Sequence, residues 1–372
     1  MTSIIEVRVH RVDVPLLRPF VTAVRATSAL AVMLVEVIDS DGRSGWGEAP
    51  ASWRVTGESP ESIEAVVTGP LAAVIAGRDI VELPSLADDL AVAVVGNSSA
   101  RSAVDCALHD LAAQHSGVPL AVYLGGSTAP VRTDMTLSVD TAGAQLAAAR
   151  AAMADGFGTI KVKVGAAGDS IDGVRRLRGE LGPDVVLRVD ANQAWTARQA
   201  VDVISAWERL DLGVQLVEQP VAARAIDDLA FVTARVSTLV MADESVWTTH
   251  DLLEIVRTRA ADLVNIKLAK TGGISEARRM LEIASAAGTG VLVGCMMESM
   301  VGVAAAASLA AAGGRAGGEG VAWGGHVRDA THDLDAGAWQ TASPVDGGAR
   351  YRGDLIELAD RPGLGIDGLA GR

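Results

Sequence analysis

The sequence predicts an α/β protein in which a (β/α) barrel of the TIM type follows an N-terminal α+β domain. The chain has 372 residues, which exceeds one ordinary domain and fits a large barrel plus a smaller unit. After Pro130, short Val/Ile/Leu runs alternate with amphipathic helical patterns at intervals of roughly 25 residues. Such an alternation indicates parallel strands joined by right-handed crossovers, and its number of repeats favours a closed barrel.

The first part of the chain has a different pattern, which predicts the α+β domain. It begins with two strand patterns and a turn, at Ile5–His10, Ala31–Val37 and Asp39–Gly42. From Ser62 to about Gly117 the periodicity is helical. The predicted limits are residues 1–125 for the α+β domain, 126–349 for the barrel, and 350–372 for a tail that returns to the first domain.

Apolar runs mark the strands of the predicted barrel, except for the eighth. The runs are Met135–Val139, Thr159–Val164, Val185–Val189, Gln215–Val217, Leu239–Met241, Leu263–Ile266 and Val291–Val293. Helical patterns fill the intervals, for example Ser275–Ala287. The stretch Gly313–Gly325 is rich in glycine, which hides the eighth strand and leaves its register open.

Composition and charge exclude several classes of protein. The net charge of −14 argues against nucleic-acid binding, because such proteins present a basic face. Charged residues between Met1 and Leu17 interrupt any signal peptide, and the most apolar run, Val301–Ala312, is too short to span a bilayer. Two distant cysteines, Cys106 and Cys295, make no disulfide framework. We therefore expect a cytoplasmic protein with neither a nucleic-acid nor a membrane partner.

One charged residue recurs at the end of each of five successive predicted strands. These residues are Lys163, Asp190, Glu218, Asp243 and Lys267, and the steps between them are 27, 28, 25 and 24 residues. Each step equals one β/α unit, so the five side chains are predicted to lie at one height. The carboxyl ends of barrel strands converge on one mouth, where barrel enzymes place their active sites.

The carboxylates of this set predict a metal site. Three carboxylates on adjacent strands would raise one another's pKa values unless a cation neutralised them. A hard divalent cation with oxygen ligands does so, and magnesium is the first choice. The predicted magnesium ligands are Asp190, Glu218 and Asp243.

The lysines of the set predict acid/base chemistry at carbon. Lys163 and Lys267 lie four strands apart, hence on opposite sides of an eight-stranded barrel, and can approach one carbon from two sides. We expect burial and nearby cations to lower their pKa toward that of a base, and the metal to stabilise the enediolate of a carbon acid. Lys161 shares a strand face with Lys163 and would add charge beside the substrate carboxylate.

Each of these residues alone has a commoner explanation. Lys161 and Lys163 could be the solubility lysines of an edge strand, and a single carboxylate such as Asp190 could cap a helix. Lys270 and Glu244 fall on the same segments but out of register, and we interpret them as salt-bridge residues. It is the set of five at one height that indicates a shared function.

The motifs resemble the muconate-lactonizing subgroup of the enolase superfamily over nearly the whole chain. They are Lys161-Val162-Lys163, Asp190-Ala191-Asn192, Glu218-Gln219-Pro220, Asp243-Glu244-Ser245, Asn265-Ile266-Lys267 and Gly45-Trp46-Gly47-Glu48-Ala49-Pro50. The resemblance implies an enolase-like modified barrel, a capping domain whose loops around residues 18–28 and 50–58 close over the substrate, and a homo-oligomer. It also implies one magnesium ion per active site on the three carboxylates, with Lys163 and Lys267 as the acid/base pair.

The substrate class depends on two further segments. Asp333 and Asp335 lie near the expected end of the eighth strand, where two carboxylates favour a cationic group, and the pair resembles the Asp-x-Asp motif of dipeptide epimerases. The alternative is a pair of solvated loop aspartates. Arg25 lies in a segment similar to the capping loop of Ala-Glu epimerases and could pair with a substrate carboxylate, or be an ordinary surface arginine.

The resulting prediction is an isomerase that epimerises a dipeptide at the α-carbon of its C-terminal residue, by proton transfer between two lysines through an enediolate. Within the family, a muconate-type cycloisomerase, an o-succinylbenzoate synthase and an N-acylamino acid racemase stay open. A barrel that only binds an acidic metabolite is the alternative of another kind, since a fold alone does not fix a function.

Overall fold

The structure is a computed structural model that describes residues 2–22, 25–138, 140–313 and 331–371, and the side chains of these ranges except those of residues 18–27. The chain begins with an antiparallel meander of β1 (Ile4–Thr22), β2 (Arg25–Asp39) and β3 (Ser44–Pro50), paired in that order. The two strand patterns predicted at the start of the chain lie within β1 and β2. Gly42, in the turn before β3, has a φ of 81°, which glycine adopts without steric cost.

Helices cover one face of this meander. They are α1 (Pro60–Val66), α2 (Ala72–Ile75), α3 (Leu83–Ala93) and α4 (Ser98–His115); α5 (Leu120–Tyr123) follows and contacts α4. Met33, Val35 and Val37 of β2 are buried in one apolar cluster with residues of α4. Gly45 and Gly47 of β3 approach α4 so closely that a Cβ at either position would overlap a backbone carbonyl of the helix. The glycines of the Gly-Trp-Gly motif therefore allow the sheet to pack on this helix.

The rest of the chain alternates strands and helices around a curled parallel sheet. After β4 (Val131–Arg132), its strands are β5 (Met135–Leu137), β6 (Thr159–Lys163), β7 (Val186–Asp190), β8 (Val214–Glu218), β9 (Leu239–Ala242), β10 (Leu263–Lys267) and β11 (Gly290–Gly294), in spatial order. Its helices are α6 (Ala142–Ala154), α7 (Ala167–Leu181), α8 (Ala197–Arg209), α9 (Ile226–Thr233), α10 (Thr249–Thr258), α11 (Leu268–Thr271), α12 (Ile274–Ala287) and α13 (Met300–Gly313).

The predicted strands agree with the observed strands to within two residues at each end. The apolar runs identify them because parallel strands with helices on one side and a filled interior on the other are buried on both faces. Only the end of the first run, Val139, lies outside the described residues.

His332 and Asp333 occupy the place of the eighth strand. Asp333 forms a parallel bridge with Gly294 at the end of β11, and His332 forms one with Thr133 just before β5. The backbone N–H of His332 donates to the carbonyl of Arg132 at 2.9 Å, and that of Asp333 to the carbonyl of Val293 at 3.1 Å. These bonds join the two edges of the sheet, which confirms the predicted barrel class. The Gly-rich stretch beyond Gly313 lies outside the described residues.

The C-terminal tail contacts both parts of the molecule. It contains β12 (Val345–Gly347), β13 (Arg350–Arg352), β14 (Leu355–Glu357) and β15 (Ile366–Leu369). β14 pairs with β4, and the backbone N–H of Leu364 donates to the buried carboxylate of Asp110 on α4 at 2.7 Å. Among the described residues, no helix combines the length and the apolar character needed to cross a membrane.

Candidate active site

The strand-end residues meet at the carboxyl ends of the barrel strands, and the register accounts for their heights. Lys163 of β6 is the direct partner of Asp190 on β7, which in turn is the partner of Glu218 on β8. Glu218 pairs with Met241, so Asp243 lies two residues farther along. The predicted common height is therefore observed for the first three residues and is exceeded from Asp243 onward, because the strands of a barrel are staggered as the sheet closes.

Lys161 lies at the centre of the cluster and contacts three carboxylates. Its Nζ lies 2.6 Å from Oε2 of Glu218, 2.8 Å from Oδ2 of Asp333 and 3.2 Å from Oδ2 of Asp190. The ammonium is buried, which opposes its charge, but the three carboxylates outweigh burial and raise the pKa of Lys161 well above its usual value. Side chains two residues apart on a strand lie on the same face. Lys161 and Lys163 therefore both reach the carboxylate of Asp190.

The two proposed bases lie on opposite sides of this cluster. Lys163 donates to Oδ2 of Asp190 at 3.0 Å and to Oδ1 of Asn192 at 2.8 Å, whereas Lys267 donates to Oδ2 of Asp243 at 2.9 Å. Their strands, β6 and β10, are separated in the sheet by β7, β8 and β9. The two lysine Nζ atoms thus approach the space above the barrel from different directions.

The pKa of Lys267 was predicted to be lowered, but the structure indicates that it is raised. Burial alone would lower the pKa of Lys267, but the charges of Asp243 and Glu218 outweigh burial and raise this pKa. The prediction assumed that cations would dominate around the lysine, whereas carboxylates do. Lys267 is therefore an ammonium group in this structure, and is placed to donate a proton.

Lys270 is a fourth lysine near this cluster, after Lys161, Lys163 and Lys267. It forms the ion pair expected of a salt-bridge residue. Its Nζ donates to Oδ1 of Asp243 at 2.5 Å, to the carbonyl of Asp243 at 2.5 Å and to the carbonyl of Asn265 at 3.0 Å. The sequence contains four lysines in all, and every other basic side chain apart from histidine is an arginine. All four lysines, Lys161, Lys163, Lys267 and Lys270, belong to this site.

The three carboxylates fit a divalent cation by their chemistry. Burial, together with the charge of Asp190, raises the pKa of Glu218 to about 8. Its Oε2 is buried and receives no hydrogen bond, so its contact with Lys161 is an ion pair only. Among the described residues, no three His, Cys, Asp or Glu side chains form one ready-made metal shell. A buried carboxylate oxygen that accepts no hydrogen bond fits an added cation with a preference for oxygen.

Asp333 and Asp335 lie close in sequence but have different surroundings. Asp333 ends the eighth strand, and its Oδ2 accepts a hydrogen bond from Lys161, which overcomes burial and lowers its pKa. Asp335 has already left the strand, with φ −89° and ψ −7°, and its Oδ2 accepts a hydrogen bond from the backbone N–H of Thr136 at 2.6 Å. Burial and the charge of Asp333 raise the pKa of Asp335 to about 7. The strand alternation, which from the sequence alone would place Asp333 and Asp335 on one face, therefore ends at Leu334.

The capping loops are described only in part. Arg25 begins β2 and pairs with Thr22 across the hairpin, but its side chain lies outside the described residues. In the second predicted loop, Ser52 and Glu58 form an antiparallel bridge, and Trp53 is 73% exposed.

Two polar groups inside the barrel have contacts that were not predicted from the sequence. Asn265 of β10 donates to Oε1 of Glu218 at 3.0 Å and so orients that carboxylate. Below the site, Arg188 of β7 donates to Asp134 at 3.0 Å and to the carbonyl of Thr331 at 2.9 Å. The period of two along a strand was a usable signal, because Asn265 precedes Lys267, and Arg188 precedes Asp190, by two residues.

Comparison with known proteins agrees with this geometry. Residues 4–125 match the family model described as "Mandelate racemase / muconate lactonizing enzyme, N-terminal domain", and residues 143–368 match "Enolase C-terminal domain-like". The chain is 38% identical over 371 residues to the L-Ala-D/L-Glu epimerase of Bacillus subtilis, which covers 99% of this chain and 98% of that protein.

Solved structures give the same result. The substrate-liganded L-Ala-D/L-Glu epimerase of Bacillus subtilis superposes with a TM-score of 0.93 at 37% identity, covering 99% of both chains. The dipeptide epimerase of Enterococcus faecalis V583, complexed with Mg and the dipeptide L-Leu-L-Tyr, gives 0.90 at 34% identity, covering 98% of this chain and 99% of that one. The chain therefore belongs to the mandelate racemase / muconate lactonizing enzyme family of the enolase superfamily and is an isomerase of the racemase and epimerase type.

Proposed function

We propose that this isomerase epimerises a dipeptide at the α-carbon of its C-terminal residue, with magnesium as cofactor. The observation that carries the proposal is the placement of Lys163 and Lys267 on opposed strands, each beside a different strand-end carboxylate. The names of the relatives support the substrate class, since they are dipeptide epimerases. The residue ranges of the two family models support the proposed division into a capping domain and a barrel.

Magnesium would be held by Asp190, Glu218 and Asp243, one ion per site. When bound, it would supply positive charge next to the substrate carboxylate and so favour the loss of the α-proton. The raised pKa of Glu218 supports this assignment, and so does the magnesium in a related structure. Lys161, which already lies among these carboxylates, would contribute a further positive charge at the same place.

The two lysines would exchange protons with opposite faces of the α-carbon. In one direction the neutral amine of Lys163 removes the α-proton, the C–H electron pair moves into the enediolate of the substrate, and the ammonium of Lys267 returns a proton on the other face. In the reverse direction the roles exchange. Lys267 suits the acid role by its position, because its Nζ lies 2.9 Å from Oδ2 of Asp243 on a strand opposed to that of Lys163.

The substrate's free ammonium group would bind at Asp333 and Asp335. Both carboxylates are buried at the end of the eighth strand, where a charge-assisted hydrogen bond is strong. A dipeptide has both an α-ammonium and a carboxylate, so it can bridge the aspartates and the cationic end of the site. Arg25 would add selectivity for an acidic side chain, as its place in the first capping loop suggests.

A dipeptide library in deuterated solvent tests this function. We expect α-deuterium to enter only the C-terminal residue of free dipeptides, with loss of configuration, and N-acetylated dipeptides to exchange poorly. Equal rates for acetylated and free dipeptides would indicate an N-acylamino acid racemase instead. No exchange with any dipeptide, together with turnover of a muconate or succinylbenzoate substrate, would indicate a cycloisomerase or synthase, and no exchange at all would favour a binding protein.

A further inference from the structure

The peptide backbone between Asp333 and Asp335 is held by side chains from two other parts of the chain. The N–H of Leu334 donates to Oγ1 of Thr133 at 2.9 Å, and its carbonyl accepts a hydrogen bond from the hydroxyl of Tyr351. The Leu334 side chain is fully buried. The backbone N–H and carbonyl of Leu334 are therefore both bound by side chains rather than by the backbone of a neighbouring strand.

The neighbouring aspartates are held differently. The backbone of Asp333 belongs to the ladder, since its carbonyl accepts from the N–H of Cys295 at 2.9 Å. Asp335 is anchored through its side chain, by the N–H of Thr136. The peptide group between Leu334 and Asp335 lies where the ladder has ended and the following turn begins. Its orientation sets the direction in which the second carboxylate leaves the backbone, and Tyr351 is the side chain that holds it.

The absence of a side chain at Gly337 leaves space for the ring of Tyr351. Tyr351 lies on β13 of the C-terminal tail, and a Cβ at Gly337 would overlap its ring and the sulfur of Met300. Burial raises the pKa of Tyr351 well above its usual value, so the hydroxyl keeps its proton and stays a donor. A glycine thus makes room for the ring at the start of the turn that follows Asp335.

We propose that Tyr351 is a positioning residue for substrate recognition: its hydroxyl fixes the Leu334 carbonyl and thereby the spacing of the Asp333 and Asp335 carboxylates. This inference rests on the proposed function, in which that pair binds the substrate ammonium. Two carboxylates share one ammonium well only at a fixed separation, because hydrogen bonds to it weaken as donor and acceptor move out of line. The C-terminal tail would then contribute to specificity although it contacts no reacting atom.

Tyr351→Phe tests this role, because it removes the hydroxyl and keeps the ring. We expect the KM of a free dipeptide to rise by about ten-fold, as for the loss of one buried hydrogen bond, with kcat nearly unchanged. The kcat/KM of the N-acetylated dipeptide, which has no ammonium to place, should not change. Tyr123→Phe is the matched control, since Tyr123 on α5 is the other tyrosine of the chain and is also half-buried. It should leave both substrates unaffected.

A second variant approaches the same peptide from its other side. Thr133→Val keeps the shape of the side chain and removes the acceptor of the Leu334 N–H, and it should lower the preference for free over acetylated dipeptide in the same way. Equal losses for both substrates in the two variants would indicate general structural damage and overturn the inference, as would an unchanged preference. If the wild-type enzyme itself showed no preference for the free dipeptide, the proposed function and this inference would both fall.

Discussion

Lys163 and Lys267 contact different carboxylates of the same cluster: Nζ of Lys163 lies 3.0 Å from Asp190, and Nζ of Lys267 lies 2.9 Å from Asp243. Three strands separate β6 from β10, so the two lysine side chains enter the site from opposite sides. A substrate carbon held between them presents one face to each lysine. The geometry therefore makes the two lysines stereochemically distinct.

Removing one lysine should stop exchange for one epimer only. In Lys163→Ala, the epimer whose α-proton faces Lys163 should lose its exchange with deuterated solvent by about 10²–10⁴-fold, while the other epimer still exchanges at Lys267. Lys267→Ala should give the opposite selectivity. NMR of the α-proton for each pure epimer measures both rates. Ordinary racemisation of both epimers by either variant would contradict the two-base assignment.

The magnesium assignment predicts loss of metal binding together with loss of activity. Asp190→Asn, Glu218→Gln and Asp243→Asn should each reduce kcat by about 10²–10³-fold, because the developing negative charge loses its counter-charge. Isothermal titration with Mg²⁺ should show weaker binding in all three. Asp172→Asn is the control, since Asp172 lies on α7 and forms an exposed ion pair with Arg175 outside the strand-end cluster. Full activity of the wild-type enzyme in excess EDTA would be incompatible with this assignment.

Ionisation of Asp335 should make kcat/KM depend on pH for a free dipeptide but not for an N-acetylated one. Its pKa is raised to about 7, so it is protonated below that pH and ionised above it. The kcat/KM of a free dipeptide should therefore fall as the pH drops below about 7, because the neutral acid binds an ammonium weakly. Asp335→Asn should raise the KM at every pH and lose this acidic limb. The same limb in the profile of an N-acetylated dipeptide would assign it to another group.

The sequence was sufficient for the architecture and for the central residues of the site. The spacing of Lys163, Asp190 and Glu218 predicted direct cross-strand neighbours because each step equals one β/α unit, and the register agrees. Spacing gives the height of a residue on a strand but not the end position of a long side chain. The contact between Lys161 and Asp333 therefore could not be predicted, nor could the raised pKa of Lys267, which depends on which charges lie nearest.

The eighth strand marks the other limit of sequence reasoning. Its ladder is short, and its two residues, His332 and Asp333, are polar although both are buried. Hydrophobic periodicity detects strands with apolar sides, so it passes over a strand of this kind. The polar character of His332 has a measurable consequence for stability.

His332 is buried as a neutral base. Its Nδ1 accepts a hydrogen bond from the N–H of Val293 at 3.1 Å, and burial together with the charge of Arg188 lowers its pKa to about 4. In the unfolded chain the imidazole has a pKa near 6.5, so between these values the unfolded state binds more protons. The stabilisation is fully present above about pH 6.5 and is lost as the pH falls toward about 4. Between about pH 8 and about pH 5 the loss amounts to about 2 kcal/mol.

His332→Asn isolates this contribution, because the Asn Oδ1 can replace Nδ1 as the acceptor for Val293 but does not titrate. Urea unfolding of the wild-type protein and the variant at about pH 8 and about pH 5 gives the free energy of unfolding at each pH. The carboxylates shift both proteins alike, so the difference between them reports His332 alone. We expect the wild-type protein to lose about 2 kcal/mol more than the variant on acidification. Parallel losses in the two proteins would mean that His332 does not stay neutral in the folded state.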